Sequence, residues 1–84
     1  GLDMAGQTRD VLEQLDALLR RHGSDRNRVL STHVFVTDLS LRPAMNEVWT
    51  SFFAPEHMPA RATIGVADLG PGVLLEMTAV AAKA

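Results

Sequence analysis

The sequence predicts a small α+β domain in which two amphipathic helices share one face of a short sheet, and two patterns carry that prediction. Apolar residues recur at helical spacing twice, as Val11, Leu12, Leu15, Leu18 and Leu19 and again as Met45, Val48, Trp49, Phe52 and Phe53, each set tracing one stripe along a helix. Three runs rich in β-branched residues, 29–37, 60–69 and 73–81, read as strands. The order helix, strand, helix, strand, strand contains no repeat, linker or low-complexity segment, so residues 1–84 form a single domain.

Asp3 is placed to cap the first helix, which is predicted over about residues 3–22. Arg20 and Arg21 fall in its last turn, where the helix dipole favours cations, and Gly23 is a ready stop. A polar loop over 24–28 leads into the first strand. Strict alternation there puts Leu30, Thr32, Val34 and Val36 on one face and Val29, Ser31, His33 and Phe35 on the other; both are partly apolar, as in a strand covered on two sides. Asp38 and Ser40 mark a turn, Pro43 is tolerated in a first helical turn, and Pro55 ends the second helix. Gly70-Pro71-Gly72 then turns the chain into the last strand. A sheet that receives two helices on one face normally has about four strands, typically with one before the first helix. One or more N-terminal strands are therefore expected to precede this sequence.

A domain of 84 residues buries only about 60 to 65% of its unfolded surface, so oligomerisation is the expected source of extra stability. The absence of cysteine excludes a disulfide framework and a thiolate metal site. The formal net charge is −2, with eight basic and ten acidic residues and no basic run longer than Arg20-Arg21. That leaves no basic stripe to neutralise phosphates, and nucleic acid is not an expected partner. No apolar stretch approaches the roughly 20 residues of a membrane helix, and a cytoplasmic location is the expectation. His22, His33 and His57 lack metal-ligand spacing, and the serines lack a glycine-flanked nucleophile turn. A metal site is not expected.

Two lone charges stand inside small, apolar strand-like runs: Arg61 between Ala60 and Ala62, and Glu76 between Leu75 and Met77. Such charges are often only solvated. A guanidinium in that setting equally offers a planar fork suited to a carboxylate, which points to a small acidic ligand. Asn46, at the start of the second helical stripe, reads either as a solvated helix residue or as one directed into a cleft. A simple hairpin centred on Pro71 would pair Arg61 with Ala81 and Glu76 with Val66. The two charges would then be about five residues, or roughly 17 Å, out of register. On that geometry Arg61 of one copy is expected to meet Glu76 of its neighbour, the competing arrangement being a large β-bulge after Leu69.

The segments QTRDVLEQLDALL, HVFVTDLS, MNEVWTSFF, PARATIGVADL and LLEMTAVA, in this order and spacing, resemble the RidA/YjgF family of enamine/imine deaminases over nearly the whole chain. They correspond to the C-terminal two-thirds of the usual domain. Arg61 follows a Pro-Ala pair as the family's substrate arginine does, Glu76 lies at the interval of its site glutamate, and Asn46 falls where the family has a site asparagine. The resemblance implies a chorismate-mutase-like, ferredoxin-like sheet assembled as a homotrimer with clefts between subunits. It also implies cofactor-free hydrolysis of 2-aminoacrylate and related 2-imino acids, products of pyridoxal-phosphate enzymes, to 2-keto acids and ammonia. Arg61 would hold the substrate carboxylate, Glu76 would position or deprotonate the attacking water, and the backbone at Thr63 would contact substrate or water. Thr63 replaces the family's frequent cysteine, and Trp49 its commoner tyrosine. The family's N-terminal strands contribute a tyrosine and a serine that have no counterpart in these residues. Two other readings follow from the same resemblance: a non-catalytic carboxylate-binding or regulatory module, and an RNA-directed activity described for some relatives.

Overall fold

The computed structural model describes residues 2–83. Its elements are α1 (Met4–Arg21), β1 (Val29–Val36), α2 (Arg42–Phe52), β2 (Ala60–Gly65) and β3 (Leu75–Ala81). Asp3 caps α1 by accepting the Gly6 amide at 2.8 Å, which satisfies one of the helix's orphan donors. Asp38 similarly accepts the Ser40 amide and hydroxyl at 2.9 and 2.6 Å, opening a 3₁₀ turn that feeds α2, and these bonds hold its carboxyl below its ordinary pKa. Pro43 lies in the first turn of α2, where its missing N–H costs nothing.

The strand order is β2-β1-β3, with β1 parallel to β2 and antiparallel to β3. This overturns the predicted hairpin: β2 and β3 do not pair, because β1 lies between them. The Gly70-Pro71-Gly72 turn belongs instead to a loop straddling the end of β1. The Val66 amide donates to the Val36 carbonyl on one side and the Thr37 amide to the Leu74 carbonyl on the other, at 2.8 and 3.1 Å. The strands are accordingly shorter than predicted, ending at Gly65 and starting at Leu75. The bulge considered after Leu69 has no ladder to interrupt.

A bulge does occur, but in β1. Val29 pairs with Ala81 and Ser31 with Val80, leaving Leu30 as the extra residue. The strict alternation expected for this strand fails there: Val29 joins Thr32, Val34 and Val36 on the buried, helix-facing side at 5% exposure, while Leu30 is 60% exposed. The core lies between that side and the two helices, with Met4, Leu12, Met45, Val48, Trp49, Phe53 and Leu75 completing it. The opposite face is uncovered, and Leu30, Ile64 and Val80 are exposed there.

Gln7 ties the loop to α1. Its Nε2 donates to the Gly72 carbonyl and its Oε1 accepts the Leu74 amide, both at 2.8 Å. Glycine suits the turn, since Gly70 and Gly72 have φ of 101° and 75°. Gln7→Ala leaves three main-chain groups, the Leu2 and Gly72 carbonyls and the Leu74 amide, without this partner, and a loss of about 1 to 2 kcal/mol in unfolding free energy is expected. Faster hydrogen exchange at the Leu74 amide checks that the loss is local; unchanged exchange there would refute the clasp.

Candidate functional site

Arg61 pairs with Thr32, a residue buried on the helix side, and so projects toward α2. Two α2 side chains hold it. Its Nη2 donates to Asn46 Oδ1 at 2.7 Å, and its Cζ lies 5.0 Å from the Trp49 ring centroid. Asn46 and Trp49 are three residues apart and therefore neighbours on one helix face. Of the two readings left open for Asn46, the structure selects the one directed inward, onto Arg61. Trp49 serves two purposes: it is 4% exposed within the core, and its ring faces the guanidinium.

Arg61 forms no ion pair among the described residues. Burial lowers its pKa from the ordinary value, and the Arg42 charge lowers it further. An arginine nevertheless stays protonated, so the site keeps a half-buried positive charge without a counter-ion. Arg26 is a useful contrast. It meets Asp16 and the Phe52 carbonyl at 3.2 and 3.1 Å and lies 4.0 Å from the Phe52 ring centroid, so its donors are committed to joining the two helices. Arg61, by comparison, has Nε and Nη1 free of protein hydrogen bonds among the described residues.

Asn46, Trp49, Thr50, Met58, Pro59 and Arg61 line an open groove of 470 Å³. A carboxylate entering it would find a planar donor fork above an aromatic ring, an arrangement matched to bidentate binding. Thr63 is half-buried and opposite Val34, hence on the same side of β2 as Arg61 and two residues further along. Sequence reasoning gives no groove role to Thr50, Met58 or Pro59, and places Trp49 in the apolar stripe of the second helix without foreseeing its contact with Arg61. Helical spacing from Asn46 could have found Trp49 and Thr50, and adjacency to Arg61 could have found Pro59.

Glu76 is not brought to this groove. It pairs with Phe35, three residues along β1 from the Arg61 partner Thr32, and is exposed on the uncovered face. Two strand spacings and three residues of rise separate the Cα atoms by about 14 Å, with the side chains on opposite faces of the sheet. Among the described residues, no group of histidine, cysteine, aspartate and glutamate could hold a metal ion, and no helix is long and apolar enough to cross a membrane.

The family model described as Endoribonuclease L-PSP matches residues 1–83. A RutC family protein of Pyrococcus abyssi is 38% identical over 81 residues, covering 96% of this chain and 63% of that protein. The 3-aminoacrylate deaminase RutC of Acinetobacter baylyi is 38% identical over 79 residues, covering 94% of this chain and 62% of that protein. The chain thus spans a little under two thirds of either curated relative. Among solved structures, a YjgF family member from Neisseria meningitidis superposes with a TM-score of 0.95 at 34% identity, covering all of this chain and 71% of that one.

Proposed function

Since this chain belongs to the RidA/YjgF family, we propose that it hydrolyses 2-aminoacrylate and related 2-imino acids to 2-keto acids and ammonia. The observation that carries this reading is Arg61: a half-buried cation without an acidic partner among the described residues, oriented by Asn46 and Trp49 at the wall of a groove. Arg61 binds the substrate carboxylate and so places the imine carbon at a fixed distance from it. Thr63, on the same side of β2, offers its backbone to substrate or water.

Glu76 acts from a neighbouring copy in a homotrimer, packed through the uncovered sheet face that exposes Leu30, Ile64 and Val80. There its carboxylate takes a proton as water adds to the imine carbon. The protonated Glu76 then hands that proton to the carbinolamine nitrogen, and ammonia leaves as the hydroxyl proton passes back to the carboxylate, giving the ketone. No redox step is involved, and a protonated imine is electrophilic without help from a cofactor. The relative named as a 3-aminoacrylate deaminase acts on a substrate of related chemistry, an unsaturated amine carrying a carboxylate.

The separation of Glu76 from Arg61 within one chain favours a second reading, a carboxylate-binding module without turnover. Ammonia release discriminates between them. With imino acid generated continuously by an amino-acid oxidase, the full chain is expected to accelerate keto-acid and ammonia formation well beyond spontaneous hydrolysis. Carboxylate binding without acceleration would leave the module. Salt-sensitive RNA binding would favour the activity in the family model's description, against which the net charge of −2 argues.

A further inference from the structure

Arg42 is the first residue of α2 and precedes Asn46, Trp49 and Thr50 by four, seven and eight residues. That spacing sets all four on one helix face, from which Asn46, Trp49 and Thr50 line the groove and Arg42 stands outside its lining. Four residues advance a helix by about 6 Å, so Arg42 stands one turn beyond Asn46, at the edge of the groove.

The direction of its side chain is also fixed. Arg42 Nε donates to the Leu39 carbonyl at 3.1 Å, and Leu39 lies over Gly65, where an added Cβ would come 3.1 Å from Leu39 Cδ1. Gly65 pairs with Val36, Thr63 with Val34 and Arg61 with Thr32, so all three share the helix-facing side of β2. Arg42 is therefore anchored beside the far end of the strand that carries Arg61, with Thr63 between them. Among the described residues it has no ion-pair partner, and its terminal nitrogens make no hydrogen bond to protein. Its charge nevertheless reaches Arg61, whose pKa it helps to lower. Two like charges held in one neighbourhood are relieved by an anion that spans them. A substrate with a single carboxylate requires only one of them.

We propose that Arg42 is a specificity residue that receives a second anionic group, so that the groove prefers 2-imino dicarboxylates over imino acids with neutral side chains. In a four- or five-carbon dicarboxylate, bonds of about 1.5 Å separate the carboxyl carbons by roughly 4 to 5 Å. With a guanidinium hydrogen-bonded at each end, that span bridges the one-turn offset between Arg42 and Asn46, the residue that holds Arg61. The kinetic half of the inference rests on the deaminase reading; the binding half does not.

The test is titration of the full chain with propionate and with succinate, a monocarboxylate and a dicarboxylate that carry no imine, at low ionic strength. Succinate is expected to bind about two- to fivefold more tightly, the margin of one partly exposed charge pair. Arg42→Ala should reduce that margin to near one, and Arg42→Glu should reverse it. Arg42 is exposed, so neither change removes core packing, and unchanged thermal unfolding would verify this. Succinate binding that is absent or no tighter than propionate, or a preference that survives both substitutions, overturns the proposal. In turnover, the ratio of kcat/KM for the imine of aspartate to that for the imine of alanine should fall in Arg42→Ala. Failure to hydrolyse any imine would count against the deaminase reading alone, while the succinate-to-propionate ratio would still decide the role of Arg42.

Discussion

Arg61→Ala is expected to lower kcat/KM for 2-imino acids about a hundredfold or more while leaving the domain folded. The substitution removes a charge-assisted bidentate contact worth on the order of 2 to 4 kcal/mol at the reacting ligand. Its effect on stability is far smaller, because opposing terms nearly cancel. The chain loses one hydrogen bond to Asn46 Oδ1 and an arginine–indole contact of about 0.5 to 1 kcal/mol. It is also relieved of a desolvated charge and of repulsion from Arg42. Arg61→Lys should fail nearly as badly, since an ammonium cannot both satisfy Asn46 and present a planar fork to a carboxylate. Ammonia release together with thermal unfolding separates the two effects. Equal hydrolysis by variant and parent would refute the role, and a collapse in melting temperature would assign Arg61 to the fold.

What was legible in the sequence, and what was not, divides along local and non-local physics. Both helices announced themselves through 3.6-residue periodicity and through caps that act within a few residues, as Asp3 does on Gly6. Burial along α1 follows Met4, Thr8 and Leu12, whereas Leu18 of the predicted stripe is 50% exposed. Strand pairing is a long-range property. The Gly-Pro-Gly turn suggested a hairpin because sequential strands usually neighbour each other. Nothing local reported that Val66 and Leu74 would bond to opposite sides of the end of β1. The bulge at Leu30 was hidden for the same reason: an extra residue in one strand is defined only by its partner. At the site, Arg61 stood out as a charge in an apolar run, and the family resemblance supplied Asn46. Arg42 did not stand out, since an arginine before Pro43 resembles any solvated helix end.

Mixing Arg61→Ala chains with Glu76→Ala chains is expected to restore activity that neither variant has alone. The predicted reason for a composite site was a hairpin register that the structure does not contain. Its replacement is more restrictive: β1 separates the two residues, and Arg61 faces α2 while Glu76 is on the uncovered side of the sheet. No rotamer change carries a side chain through a hydrogen-bonded sheet, so in one chain they cannot meet across a substrate. A neighbouring copy packed on the uncovered face can bring its Glu76 to this groove if subunits associate head to tail around a ring, the heterologous contact of a cyclic trimer. In a randomly exchanged equal mixture, each cleft draws its arginine from one subunit and its glutamate from the next. About a quarter of clefts then regain both, and activity should approach a quarter of the parent value. Native mass spectrometry verifies the exchange and the trimer. Silence in proven mixed trimers would count against the composite cleft, as would a stable monomer with full activity, and either result would require a water-activating group other than Glu76.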